Sequence, residues 1–293
     1  MRTVWGMTWK ELLRKRVMML TLLMTLVFLV VFWFVTSTIG ASGGPSSNLS
    51  GGEALIYRFT NGAFMLTLGY FFGAFVIAFL AIFSSFSAIA GEAEQGVMQA
   101  MLPRPIPRWK WYAGRWLGYV TLGMGYALFL FAAILIVTQF HAAIPRDPVV
   151  LLQSFLLFSS VVPLLITVSM LGSTLFSGLG NGVFMTMLYG ASWLGGMVDK
   201  VSSSLPLEEE GLRTLNNMTG FMSLLMPVDG LQRRMLSELL SIKELGGVAN
   251  LNFSMNMFFD FKTVPSNSFI IYTVCYTIVA FLIGVLRFQR KDL

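Results

Sequence analysis

Long stretches without one acid or base set the limits on this chain. Val17–Ile39, Thr60–Gly91, Leu117–Gln139, Val149–Met197 and Ser268–Leu286 contain no Asp, Glu, Lys or Arg. A helix crosses a hydrocarbon core in about 20 residues, and inside lipid every backbone N–H and C=O must pair within its own segment. Such stretches therefore read as membrane helices. The whole chain agrees: 56% of its residues are hydrophobic and 12% are charged, against about 25% charged in soluble domains.

The expected fold class is an all-α membrane protein with six spans, near Val17–Ile39, Ala63–Ala90, Leu117–Thr138, Val149–Leu171, Gly182–Val198 and Ser268–Leu286. The fifth is the shortest. A basic start before the first span suggests a secretory signal, but that run exceeds the roughly 7–15 residues of a signal core, and further spans follow. The Gly/Ser-rich segment 41–61 reads as a flexible exposed loop. The third and fourth spans are joined by QFHAAIPRDP, and the fourth and fifth by a tight glycine-rich link, GSTLFSGLGN.

Short cytoplasmic loops carry the excess of Lys and Arg, which orients the bundle. Arg2, Lys10, Arg14, Lys15 and Arg16 crowd the amino end. Arg104, Arg108, Lys110 and Arg115 lie between spans two and three, and Arg287, Arg290 and Lys291 lie at the carboxyl end, while the first and third loops hold only Arg58 and Arg146. Both termini and region 91–112 are thus expected in the cytoplasm. Region 199–267 falls outside by parity, and its six cations are no objection, because loops of about 60 residues or more translocate largely regardless of charge. Inside it, Leu212, Leu215, Met218, Phe221, Leu224 and Leu225 keep helical spacing up to Pro227. A second helix is expected from Asp229 as N-cap through Leu231, Met235, Leu239 and Ile242 to Gly246-Gly247. The two helices either cap the outer side of the bundle or pack on each other as a small lid.

Two amphipathic pieces precede and interrupt the spans. Residues 1–16 place Trp5, Trp9, Leu12 and Leu13 on one side of a helix and Lys10, Glu11, Arg14 and Lys15 on the other, as expected at a membrane interface. The segment GEAEQGVMQAMLPRPIPR, residues 91–108, opens on Glu92 and Glu94, which suit the positive end of a helix macrodipole. Val97, Met98, Met101 and Leu102 then form one apolar edge. Pro103 ends the helix, and Arg104, Pro105, Pro107, Arg108 and Lys110 follow as a stiff basic strap. Such a collar either bears on a partner or lies against lipid headgroups.

Several chemistries are excluded. His141 is the only histidine and Cys275 the only cysteine, so neither a multi-histidine metal site nor an internal disulfide can form. Cys275, mid-span beside Val274 and Tyr276, reads as a packed core thiol. No G-x-S-x-G is present, and no nucleic-acid fold accompanies the formal charge of +6. Spans free of charge at depth speak against ion-coupled transport. Leu49-Ser50-Gly51-Gly52-Glu53 is similar to an ABC ATPase signature, but without a G-x-x-x-x-G-K-[ST] phosphate loop it is a chance match. Gly69-x-x-x-Gly73 and Gly114-x-x-x-Gly118 read as helix-packing faces. Phe71, Phe72, Phe75 and Phe79, with Phe83, crowd the second span and fit either a greasy substrate path or lipid-facing bulk.

The collar also carries a resemblance. Glu92-Ala93-Glu94-Gln95-Gly96, Leu102, Arg104-Pro105-Ile106 and Arg108 resemble the E-x-E-x-G…L-x-R-P-I-x-R pattern of ABC-2 type transporter permeases. The interfacial helix with Lys10-Glu11 and Arg14, and the terminal FQRKDL, are similar to the same family. The resemblance implies a non-catalytic permease of an ABC exporter in a prokaryotic cytoplasmic membrane, with no cofactor of its own. Two separate ATPase subunits would carry ATP and Mg, and the second permease would be identical or different. Glu92–Leu102 would then be the coupling helix, with Glu92, Glu94, Gly96, Val97, Met98, Met101, Leu102, Arg104, Pro105 and Arg108 at the ATPase, and Trp5, Trp9, Lys10, Glu11 and Arg14 on the connecting helix. The second and fifth spans would face the transport cleft. The rival expectations are a membrane anchor or sensor that moves nothing, and an ion-coupled carrier.

Overall fold

The computed structural model describes residues 2–42, 51–94, 96, 107–142, 144, 147–202, 209–240 and 264–290. Among them the chain forms α1 (Arg2–Arg14), α2 (Arg16–Ser42), α3 (Gly51–Ser85), α4 (Ala90–Glu94) and α5 (Arg108–His141), followed by α6 (Pro148–Leu175), α7 (Gly178–Ser202), α8 (Glu209–Leu225), α9 (Val228–Leu239) and α10 (Asn267–Arg290). α2, α3, α5, α6 and α10 are long and apolar enough to cross a membrane. α7 stands where the fifth span is expected and is 25 residues long, but glycines, Asn181 and its charged end dilute its apolar character.

Two helices begin earlier than the apolar runs suggest. α3 starts at Gly51, so the second half of the Gly/Ser-rich segment is helical rather than loop. α5 starts at Arg108, directly after Pro107, a place where the missing N–H costs nothing. Arg108 and Lys110, expected in an extended strap, are therefore helical, because hydropathy marks where a helix enters lipid and not where it begins. The fourth-to-fifth link also shrinks, to Phe176-Ser177 between α6 and α7.

α3, α5 and α6 form the centre. Between membrane helices the solvent drives nothing together, so close approach and van der Waals fit decide packing. Gly69 admits the Phe32 and Ile134 side chains against its backbone, and Gly73 admits Ile134. The spacing of these two glycines is thus a packing face, and Tyr70 between them meets the rings of Phe131 and Phe158 at 5.1 and 5.2 Å. α2 and α10 are peripheral, with 17% of each apolar window buried. Cys275 on α10 is exposed, not the packed thiol expected, because α10 shows most of its surface outward.

The largest departure is α9. It does not form a separate lid with α8 but packs chiefly on α6, with lesser contacts to α7, α3 and α8, and Val228–Ser237 are buried residue by residue. Gln232 donates to the Tyr70 carbonyl at 3.1 Å, and Ser192 of α7 donates to the Met226 carbonyl at 2.7 Å. Tyr272 and Tyr276 of α10 donate to Leu224 and Leu225 carbonyls, at 2.6 and 3.0 Å. The turn at Met226-Pro227 thus sits inside the bundle. Asp229 is not the N-cap but lies in the first turn, accepting from Arg233 Nε at 2.6 Å. Arg234 pairs with Glu238 at 2.6 Å and donates to Asn267 at 2.9 Å. Gly196 and Gly230 leave room for the Asp229 carboxylate and the Phe269 ring. The spans are free of charge, yet the bundle is not.

Candidate functional site: a charged clasp at the collar

α1 is fixed before it reaches the collar. Val4, Thr8 and Leu12 are its buried residues, with Thr8 pressed onto the bare backbone of Gly118 in α5. The indole N–H groups of Trp5 and Trp9 both donate to Thr121, at 2.9 and 2.8 Å. This docking rotates the helix from the face expected. Leu13 is exposed, whereas Glu11, placed by spacing on the water side, turns inward to Arg115.

Arg115 is the centre of the site. It sits seven residues into α5, and its side chain is 7% exposed. One guanidinium nitrogen donates to Glu11 of α1 and the other pairs with Glu92 of α4. Lys15 closes on Glu11 at 2.9 Å. The guanidinium lies 5.2 Å over the Trp111 ring, which stacks on Phe288 of α10 at 5.2 Å. Arg108, about two turns earlier on the same side of α5, donates to the Gln289 carbonyl at 3.2 Å. A planar fork that holds two carboxylates at once is a task for arginine and not lysine.

A second set of contacts holds the junction between α3 and α4. The helix breaks at residues 86–89, which leaves backbone groups without helical partners. Ser173 Oγ of α6 accepts from the Ile89 and Ala90 N–H groups, at 3.1 and 2.9 Å. Asn181 of α7 donates to the Phe86 carbonyl at 2.7 Å and to the Ser169 carbonyl at 2.8 Å. Glu94 accepts from the Gly178 N–H at the start of α7, at 3.0 Å, where a carboxylate also meets the positive helix end.

The expected coupling residues divide. Glu92 and Glu94 point into their own chain. The continuous helix expected over Glu92–Leu102 does not form, since α4 ends at Glu94 and Gly96 has φ +70°, a left-handed conformation suited to glycine and foreign to an α-helix. Val97, Met98, Met101, Leu102, Arg104 and Pro105 lie outside the described residues. On the connecting helix Lys10 and Arg14 are exposed, away from the clasp. In α3, Phe71 and Phe75 meet Trp193 of α7 at 6.0 and 5.0 Å, and Phe79 meets Phe83 at 4.5 Å. Phe72 is exposed. Spacing alone misses Arg115, Thr121, Ser173 and Asn181; the available signal is a lone polar residue at the foot of an apolar run.

The profile of the ABC-2 family transporter proteins matches residues 5–293. The chain belongs to the ABC-2 transporter family. This agrees with a multi-pass membrane protein whose apolar helices are α2, α3, α5, α6 and α10. ABC-2 permeases are typically non-catalytic membrane subunits that work with ABC ATPases. No curated protein matches the chain.

The electrostatics of the clasp give a pH dependence. Burial pushes the Glu11 carboxyl up, but the charges of Arg115 and Lys15 outweigh it and hold the group below its ordinary value. A depressed carboxyl contributes stability above its unfolded pKa and loses it as pH falls through the depressed value. The docking of α1 is therefore expected to be constant from pH 7 to about 5 and to weaken below about 4. Emission from Trp5 and Trp9 follows it, and Glu11→Gln flattens the profile.

Proposed function

We propose that the chain is the transmembrane permease of an ATP-driven exporter, with both termini and the collar in the cytoplasm of a prokaryotic cell. Two separate ATPase subunits hydrolyse ATP with Mg, and a second permease, identical or different, completes the transport path. The observation that carries this reading is Arg115, which ties α1 and α4 into one unit, with α4 a few residues before 97–106 in the chain. In that reading Val97, Met98, Met101 and Leu102 seat in the ATPase, with Arg104, Pro105 and Arg108 bracing the seat. Force applied there passes through Glu92 to Arg115 and α1, because paired buried charges resist separation. α3 and α7, which meet through Phe71, Phe75 and Trp193, line the cleft for an apolar or amphipathic substrate.

A carboxylate placed in an apolar seat is costly unless paired. Met101→Asp or Leu102→Asp is therefore expected to leave the permease folded and inserted while abolishing transport-linked ATP hydrolysis in reconstituted vesicles. Normal coupling in either variant overturns the assignment.

A further inference from the structure

We propose that Asn181, with Glu94, is a positioning link that carries movement of the collar to α7, a role that rests on the collar being driven as proposed above. At the break of residues 86–89 side chains meet three backbone groups, the Phe86 carbonyl and the Ile89 and Ala90 N–H groups, as buried polar groups require partners. α6 supplies one, Ser173. α7 supplies the other, Asn181, which is fully buried and holds Phe86 of the break and Ser169 of α6 with the same amide. Gly172 is what lets it in: the Asn181 amide oxygen lies directly on the Gly172 backbone, where any Cβ would displace it.

The geometry makes this link different from ordinary packing. Asn181 lies at the first turn of α7, and Glu94 holds the same turn by its Gly178 N–H, so α7 is gripped at two points, by Phe86 within the break and by Glu94 at the end of α4. Ser87 and Glu94 both lie against Gly178. α3 itself ends at Ser85, before the break, and meets α7 farther along, through Phe71, Phe75 and Trp193. A shift of α4 therefore reaches α7 through these polar contacts, with direction fixed by hydrogen-bond geometry, while the Phe75–Trp193 contact higher up follows as α7 moves.

The test needs no substrate. In the complete complex with its ATPase, on a Cys275→Ser background, spin labels are placed singly at Trp109 beside the collar and at Leu194 about 20 Å along α7 from Asn181. Both sites are exposed. ATP with vanadate is expected to change both spectra in the otherwise unaltered protein. With Asn181→Ala or Glu94→Gln the Trp109 change persists and the Leu194 change falls about tenfold, the size expected when one or two net hydrogen bonds favour one state. A full Leu194 response in both Asn181→Ala and Glu94→Gln overturns the link. Loss of both responses in those variants overturns it too, since the residues would then merely hold the collar together. If neither label responds even before substitution, it is the ATP-driven reading of the collar that fails.

Discussion

Arg115→Met is expected to have the largest effect of any single change at the collar, with loss of transport-linked ATP hydrolysis and a destabilised permease. The substitution keeps the volume of the side chain but leaves Glu92, whose side chain is 13% exposed, without its counter-charge. Removing one partner of a buried pair costs about 3–5 kcal/mol, and Glu11 loses its main reason to face α5. Arg115→Lys separates charge from geometry. An ammonium satisfies one carboxylate well but cannot span two, so this variant is expected to fold and insert while α1 or α4 comes loose. Thermal unfolding in detergent reads the first effect, and fluorescence of Trp5 and Trp9 reads the second. Equal behaviour of Arg115→Lys and the parent protein would show that fork geometry is irrelevant.

Asp229→Ala is expected to be the most damaging change in α9. Arg233, 9% exposed, would remain buried without the carboxylate it now meets at 2.6 Å, again at about 3–5 kcal/mol. The turn at Met226-Pro227 would then leave the bundle, and protease would cut near it in the variant and not in the parent. Asp229→Leu combined with Arg233→Met is expected to recover most of the loss, because apolar residues of similar volume can replace a buried pair at little cost. A double variant as unstable as Asp229→Ala would mean that the pair is needed for more than mutual neutralisation.

What the sequence makes legible follows from which forces act locally. The apolar runs reveal α2, α3, α5, α6 and α10, because lipid imposes one requirement along the whole of each run. Helical spacing likewise reveals α8, whereas the cap that Asp147 places on Val149 at the entry of α6, at 2.9 Å, is seen only in the structure. Glu11 and Glu92 were visible as acids in amphipathic pieces, but not as two ends of one clasp. Their meeting depends on Gly118 accepting Thr8, a contact between residues over a hundred positions apart. Asp229 through Glu238 look like a surface helix because charge is read as exposure; α9 is buried because its charges satisfy one another. The break at residues 86–89 gave no warning, since its backbone groups are completed by Ser173 and Asn181 from other helices.

That interruption also limits what α3 can do. A rigid shaft conveys torque from one end to the other, but a shaft with a swivel near its foot does not. Rocking of α4, if the collar is driven as proposed, need not spin the long apolar helix that precedes it, so α3 can keep its seat against Phe32, Ile134 and Phe158. Under the drive proposed above, effort would be diverted sideways into neighbours, with the centre of the protein as the fixed mount against which they pivot.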